Sequence, residues 1–185
     1  LNPIWKKAIR KIKSKIIRPL SGFTFNINEI SNKDNKYYIG FWQNEKYFLD
    51  IEDIILKEFT LKNKMRNVSE VFQNQIIKNQ SSVSLHVRRT DILDPKNKYG
   101  GICDLNYYDR AMSIIEEQIE KPTYFVFSDD IDWCKKNIKF TNIVYFVSNL
   151  DTRDYEELIL MSQCKHNIIA NSSFSWWGAW LNKNK

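Results

Sequence analysis

His86, Val87, Arg88, Arg89, Thr90 and Asp91 stand in a row near the middle of this 185-residue chain, and their side chains hold the chemistry most easily named. They follow Ser82-Val-Ser-Leu, so Val83, Leu85 and Val87 alternate with Ser84, His86 and Arg88. Alternation of period two is the pattern of a short strand. Such a strand delivers two adjacent guanidinium groups and a carboxylate where it runs into a loop. Arg carries a rigid fork of donors that fits phosphate oxygens and stays charged at any physiological pH. Open α/β sheets bind ligands outside the carboxyl ends of their strands, so a diphosphate is the natural guest. The competing reading is a surface Arg pair bridged to Asp91.

Two further strand ends carry polar side chains. Residues 127–133 read Phe-Ser-Asp-Asp-Ile-Asp-Trp. Ser128 or Asp129 is a good helix N-cap, and acids in a first helical turn suit the helix dipole. In a functional reading, one carboxylate at this strand edge accepts hydrogen bonds from a base such as guanine. In a third reading, Asp130 and Asp132 form an Asp-x-Asp pair that holds a divalent metal on a sugar nucleotide, although an Asp in a helix beside Trp133 suits a metal poorly. Residues 170–177 read Ala-Asn-Ser-Ser-Phe-Ser-Trp-Trp. Asn and Ser cap a helix there, and the unpaired amide groups of a helix start make an anion site to which Ser172 and Ser173 could add hydroxyls. Simple capping is the alternative. Trp176, Trp177 and Trp180 read as packing, and His166 as structural. Having only two histidines argues against a His-based metal centre or triad.

These segments are positioned by a regular run of elements. Apolar strands at 83–87, 123–127, 143–147 and 167–170 alternate with helical patterns near 106–120, 131–138, 153–163 and 174–181. Four βα units in series give a parallel sheet with helices on both faces, so residues 83–185 read as a Rossmann-like domain. They hold no Gly-x-Gly-x-x-Gly, which argues against a nicotinamide or flavin binder. Upstream, helices are expected over 51–59 and 67–79 and extended segments near 23–27 and 37–41. Ile4, Trp5, Ala8, Ile9, Ile12 and Ile16 make an apolar stripe at helical spacing, ended by Arg18 and Pro19.

The net charge of +6 suggests nucleic acid until it is mapped. Residues 1–20 carry seven basic residues and no acid, which leaves −1 for the other 165. The body is neutral, so a basic nucleic-acid-binding module is the weaker alternative. The basic helix is instead a candidate for peripheral contact with an anionic membrane surface, or for packing on other parts of the protein. Three separated cysteines without Cys-x-x-Cys make neither a disulfide framework nor a zinc site and fit a reducing cytosol. A cytoplasmic protein is expected, with the inner face of the membrane as a candidate contact for residues 1–20. Leu1 opens inside a helical pattern and Lys185 follows one, so the sequence reads as a piece cut at both ends.

Taken together, these motifs resemble the bacterial α-1,2-fucosyltransferases of glycosyltransferase family 11. That family carries His-x-Arg-Arg-x-Asp, matched by His86, Arg88, Arg89 and Asp91. Residues 125–135 and the long block 161–181 match two further segments, and residues 38–48 match the stretch ahead of the donor domain. The similarity covers about residues 36–182. The family's Gly-rich opening segment has no counterpart here. The resemblance implies an α/β fold of GT-B type: a Rossmann-like donor-binding domain with a parallel sheet at 63–185, preceded at 1–62 by part of a second, acceptor-side domain and a linker. It implies transfer of L-fucose from GDP-fucose to O2 of a β-galactoside in a glycan acceptor, with inversion, no metal and no further cofactor. His86 and one of Asp129 and Asp130 would contact guanine. Arg88 would hold the β-phosphate, Arg89 and Asp91 would shape the fucose side, and Ser172 and Ser173 would bind phosphate. Asp91 is the candidate general base. A non-catalytic nucleotide-sugar-binding remnant is the other reading.

Overall fold

The computed structural model describes residues 16–17 and 37–38 by their backbone, and residues 43–90, 93, 101–148 and 151–184 in full. The chain divides into two compact units, Leu1–Phe59 and Thr60–Lys185.

In the first unit, β1 (Ile16–Ile17) pairs in parallel with β2 (Tyr37–Tyr38), Ile16 opposite Tyr37. This corrects the expected helix end at Ile16. Two β-branched residues, stiff at χ1, prefer the extended backbone, and Pro19 disfavours a helical conformation in the residue before it. The rest of the basic stripe and the segment at 23–27 lie outside the described residues. Two short 3₁₀ turns, Glu45–Tyr47 and Leu49–Ile51, lead into α1 (Glu52–Glu58). Glu52 and Asp53 sit in its first turn and Lys57 in its last, each matching the helix dipole.

The second unit runs α2 (Asn67–Lys78), β3 (Ser82–Val87), α3 (Leu105–Gln118), β4 (Thr123–Ser128), α4 (Ile131–Asn137), β5 (Val144–Phe146), α5 (Asp154–Gln163), β6 (His166–Ile168) and α6 (Ser173–Trp180). All strand pairs are parallel, in the order β5-β4-β3-β6. Every residue of β3 and β4 is buried, as helices on both faces require. Val83, Leu85 and Val87 face one layer with Tyr108 and Met112 of α3 and Cys134 of α4. On the other face Phe125 and Phe127 meet Ile76 of α2 and Leu160 and Met161 of α5. Burying a side chain of this size contributes about 1.5–3 kcal/mol.

Polar groups tie the layers. Glu156, 1% exposed, accepts from the Arg66 amide and the Ser69 hydroxyl, both at 2.8 Å, which locks α5 to the start of α2. At Gly178, an added Cβ would stand 3.1 Å from Met161 Cβ, so the missing side chain lets α6 lie close on α5. Among the described residues, no helix is long and apolar enough to cross a membrane.

The chain builds outward from β3 to β4 and β5, then returns to lay β6 on the far side of β3. The strand order therefore reverses between β3 and β6. The crevice outside their carboxyl ends is the topological switch point, where such sheets take ligands.

Candidate functional site

The pleat divides the residues at the end of β3. His86 points away from the Val87 layer and lies 4% exposed beside Phe174, ring centroids 5.6 Å apart. Burial lowers its pKa to about 4; Asp129 pulls the value up and Arg88 pushes it down. His86 is thus a neutral imidazole at neutral pH, and its buried Nδ1 has no hydrogen-bond partner among the described residues. Arg88 Nη1 lies 3.5 Å from Asp129 Oδ2, with 37% of the side chain exposed. Arg89 turns the other way. Its guanidinium carbon sits 3.8 Å from the Trp133 ring centroid, and its Nε is 3.4 Å from Asp130 Oδ2.

At the end of β4 the adjacent acids do different things. Asp129 Oδ1 accepts the Arg89 amide at 2.9 Å, and Oδ2 accepts the Thr90 amide at 2.9 Å together with the Thr90 hydroxyl. Burial alone would raise its pKa, but the Thr90 hydroxyl, the two amides and the Arg88 charge outweigh it and lower the value. Asp130 is the N-cap of α4: its Oδ1 accepts the Trp133 amide at 3.0 Å, while its own amide donates to Ser128 Oγ at 2.9 Å. This corrects the expected cap at Ser128 or Asp129: α4 starts at Ile131, so Asp130 is the flanking residue whose carboxylate reaches the Trp133 amide, while Asp129 spends its oxygens on the Arg89 and Thr90 amides. Asp132 is 86% exposed, 3.7 Å from Lys135 Nζ. Among the described residues, no group of three or more His, Cys, Asp or Glu is placed to hold a metal.

The third strand end closes the crevice. Tyr107 donates its hydroxyl to the Ile169 carbonyl at 2.6 Å, fixing the end of β6 to α3. Ser172 is the N-cap of α6, accepting the Phe174 amide at 3.3 Å, and Ser173 is the exposed first residue of that helix. The positive end of α6 therefore follows β6 directly, on one side of the switch point, with Arg88 following β3 on the other.

The structure thus groups His86, Arg88 and Asp129, sets Ser172 and Ser173 on the neighbouring strand end, and holds Arg89 with Asp130 against α4. Asp91 lies outside the described residues. Three partners escaped the sequence reading: Thr90, Trp133 and Phe174. Thr90 had a signal, being a hydroxyl inside the Arg-Arg motif; the other two meet their partners only through the fold.

An open parallel sheet with an arginine and a helix start flanking its switch point defines a Rossmann-like α/β domain. The chain belongs to glycosyl transferase family 11, which it matches over residues 1–185. It is 40% identical over 159 residues to an alpha-1,2-colitosyltransferase of Escherichia coli, covering 82% of this chain and 53% of that protein. It is 37% identical over 137 residues to the O-antigen biosynthesis glycosyltransferase WbnK of Escherichia coli, covering 70% and 45%. Its identity to the galactoside 2-alpha-L-fucosyltransferase Sec1 of Mus musculus is 24% over 196 residues, covering 98% and 53%. The chain spans about half the length of these curated relatives. No solved structure matches it.

Proposed function

We propose that residues 60–185 form the donor-binding domain of an inverting glycosyltransferase of GT-B type that moves L-fucose from GDP-fucose to O2 of a galactoside. The observation that carries this reading is the pairing of Arg88 and the start of α6 across the switch point. As the acceptor hydroxyl attacks the anomeric carbon, the bond to the β-phosphate oxygen breaks and negative charge grows on leaving GDP. The Arg88 guanidinium, the first-turn amides of α6 and the Ser172 and Ser173 hydroxyls supply preorganised donors to that charge without a metal. Neutral His86 and a neighbouring acid would meet the edge of the base. Asp91 is the candidate base for the acceptor proton.

The 40% identity to an alpha-1,2-colitosyltransferase favours a second reading, in which the sugar moved is colitose. A site that hydrogen-bonds a hydroxyl present on only one of two sugars rejects the other by about 10⁴-fold or more, whereas one that does not separates them by about 10² at most. Calorimetric titration of GDP, UDP and ADP, followed by turnover of the whole protein with each GDP-sugar, tests both readings. GDP is expected to bind best. UDP binding as tightly as GDP would sink the proposal, and GDP binding without transfer would leave a nucleotide-sugar-binding protein.

A further inference from the structure

Asp129 stands at the end of β4, yet the contacts of its carboxylate go to the turn after β3. The Arg89 amide, the Thr90 amide, the Thr90 hydroxyl and the Arg88 guanidinium all converge on it, from residues about 40 positions earlier in the chain. A carboxylate has about four acceptor positions, so little of Asp129 is left to face a base. Asp130 is held differently, by its own helix and one long contact from Arg89, and stays 35% exposed against 17% for Asp129.

We propose that Asp129 is a positioning residue: through the Arg89 and Thr90 main chain and the Thr90 hydroxyl it latches the turn that carries Arg88, and it does not read the nucleobase. This rests on the donor-site reading above. Arg88 lies one residue past the last strand hydrogen bond of β3, on a long side chain, so the ladder alone does not fix it. Two amides and a hydroxyl on one carboxylate fix the turn instead. A displacement of about 1 Å in a group that must meet a growing charge costs about 10² in rate.

The test uses Asp129→Asn, Thr90→Val and Thr90→Ser in the whole protein. Asparagine keeps the size but turns one acceptor oxygen into a donor facing the Thr90 amide. Asp129→Asn and Thr90→Val are each expected to lower turnover by roughly ten- to a hundred-fold, the loss of hydrogen bonds to a charged group. The double variant should fall no further than Asp129→Asn alone, since both break one latch. Thr90→Ser should recover most of the Thr90→Val loss. The ratio of GDP to IDP affinity should stay unchanged in all three, because IDP lacks only the guanine amino group. Hydrogen exchange at the Arg89 and Thr90 amides of the ligand-free protein should speed up in Asp129→Asn.

A collapse of the GDP preference over IDP in Asp129→Asn, with Thr90→Val normal, would make Asp129 a base reader and overturn the latch. Equal exchange in the wild type and Asp129→Asn would do the same. Failure of the wild type to bind GDP would strike the donor reading instead, and the exchange comparison would still decide the latch.

Discussion

Arg88 and Arg89 leave β3 one peptide apart, and the pleat sends them to opposite faces of the sheet. Arg89 lies flat on Trp133 at 3.8 Å, tied to the cap of α4 and 21% exposed. Arg88 follows the carboxyl end of β3, 37% exposed, with Asp129 3.5 Å from one nitrogen. A guanidinium stacked on an indole and bound to a helix cap holds structure together. One that keeps more of its surface open is, in the proposed reading, the one that meets an anion. The motif that reads as one arginine pair is, in three dimensions, two cations in different surroundings, and the proposed function assigns the anion to Arg88.

The largest effect expected from this contrast is at Arg88. Lys in its place keeps the charge but loses the bidentate fork. Removing one preorganised donor to a developing oxyanion costs about 3–4 kcal/mol, or roughly 10²–10³ in rate. Arg88→Lys should lower turnover of the whole protein at least that far while its melting temperature stays near the wild type. Lys62→Ala, an exposed charge removed away from the motif, should change neither. Near-normal turnover in Arg88→Lys would erase the distinction between the two arginines.

His86 gives the next effect, on stability. In the unfolded chain it titrates near 6.5, and in the fold its pKa falls to about 4. Between those values the unfolded chain binds the extra proton, so stability falls as the pH is lowered from about 6.5 to about 4 and levels off below. The full loss is on the order of 3 kcal/mol. Glu157, whose pKa burial raises, works in the opposite sense, and Asp129, whose pKa is lowered, adds its own loss only at more acid pH. The difference between wild type and His86→Asn isolates the His86 part. Urea midpoints at pH 7 and pH 4.5 should converge for the two proteins as the pH falls; parallel losses would show that His86 is protonated alike in both states.

Much of this sheet was legible in sequence. Thr123–Ser128 reads as an apolar run because a central parallel strand is covered on both faces, and Ser82–Val87 shows its pleat in the alternation of Val and Leu with polar residues. The strands and helices of the second unit end within two residues of their expected places. What the chain hid are contacts with no local pattern. Three consecutive residues, Ser128, Asp129 and Asp130, can each cap a helix, and only the register of the Trp133 amide selects Asp130. Thr90 meets Asp129 across 39 residues, through strand pairing that fixes Val87 opposite Ser128. Arg89 finds Trp133 only because the pleat and the start of α4 bring them to one face. Ile16 read as a helix end because it continued a 3.6-residue stripe, while its pairing partner lies 21 positions away at Tyr37.

Arg89 sharpens the comparison from the other side. Arg89→Ala removes the stack on Trp133 and the contact with Asp130, which together are worth about 1–2 kcal/mol of stability. Turnover should fall less than in Arg88→Lys, since the Thr90 and Asp129 contacts that hold the turn remain. Chemical denaturation and steady-state rates on the same preparations check this. If Arg89 touches the sugar, as the family resemblance implies, the profile inverts: turnover collapses and stability holds.

The smallest expected effect is none, and it concerns metal. A divalent ion at the β4 end would need Asp130 and Asp132 to aim oxygens at one point. Asp130 already gives Oδ1 to the Trp133 amide and sets Oδ2 against Arg89, while Asp132 is almost fully in solvent beside Lys135. Positions two apart at a helix start do not share a face, so bringing both acids together would undo the α4 cap. That would also release Arg89 from its stack. In the proposed function, positive charge for the departing nucleotide comes instead from Arg88 and the start of α6. Turnover of the whole protein should therefore be the same after exhaustive dialysis against EDTA as before it. Loss of activity on chelation, restored by Mn²⁺, would make this region the functional cation site and reduce Arg88 to a secondary contact.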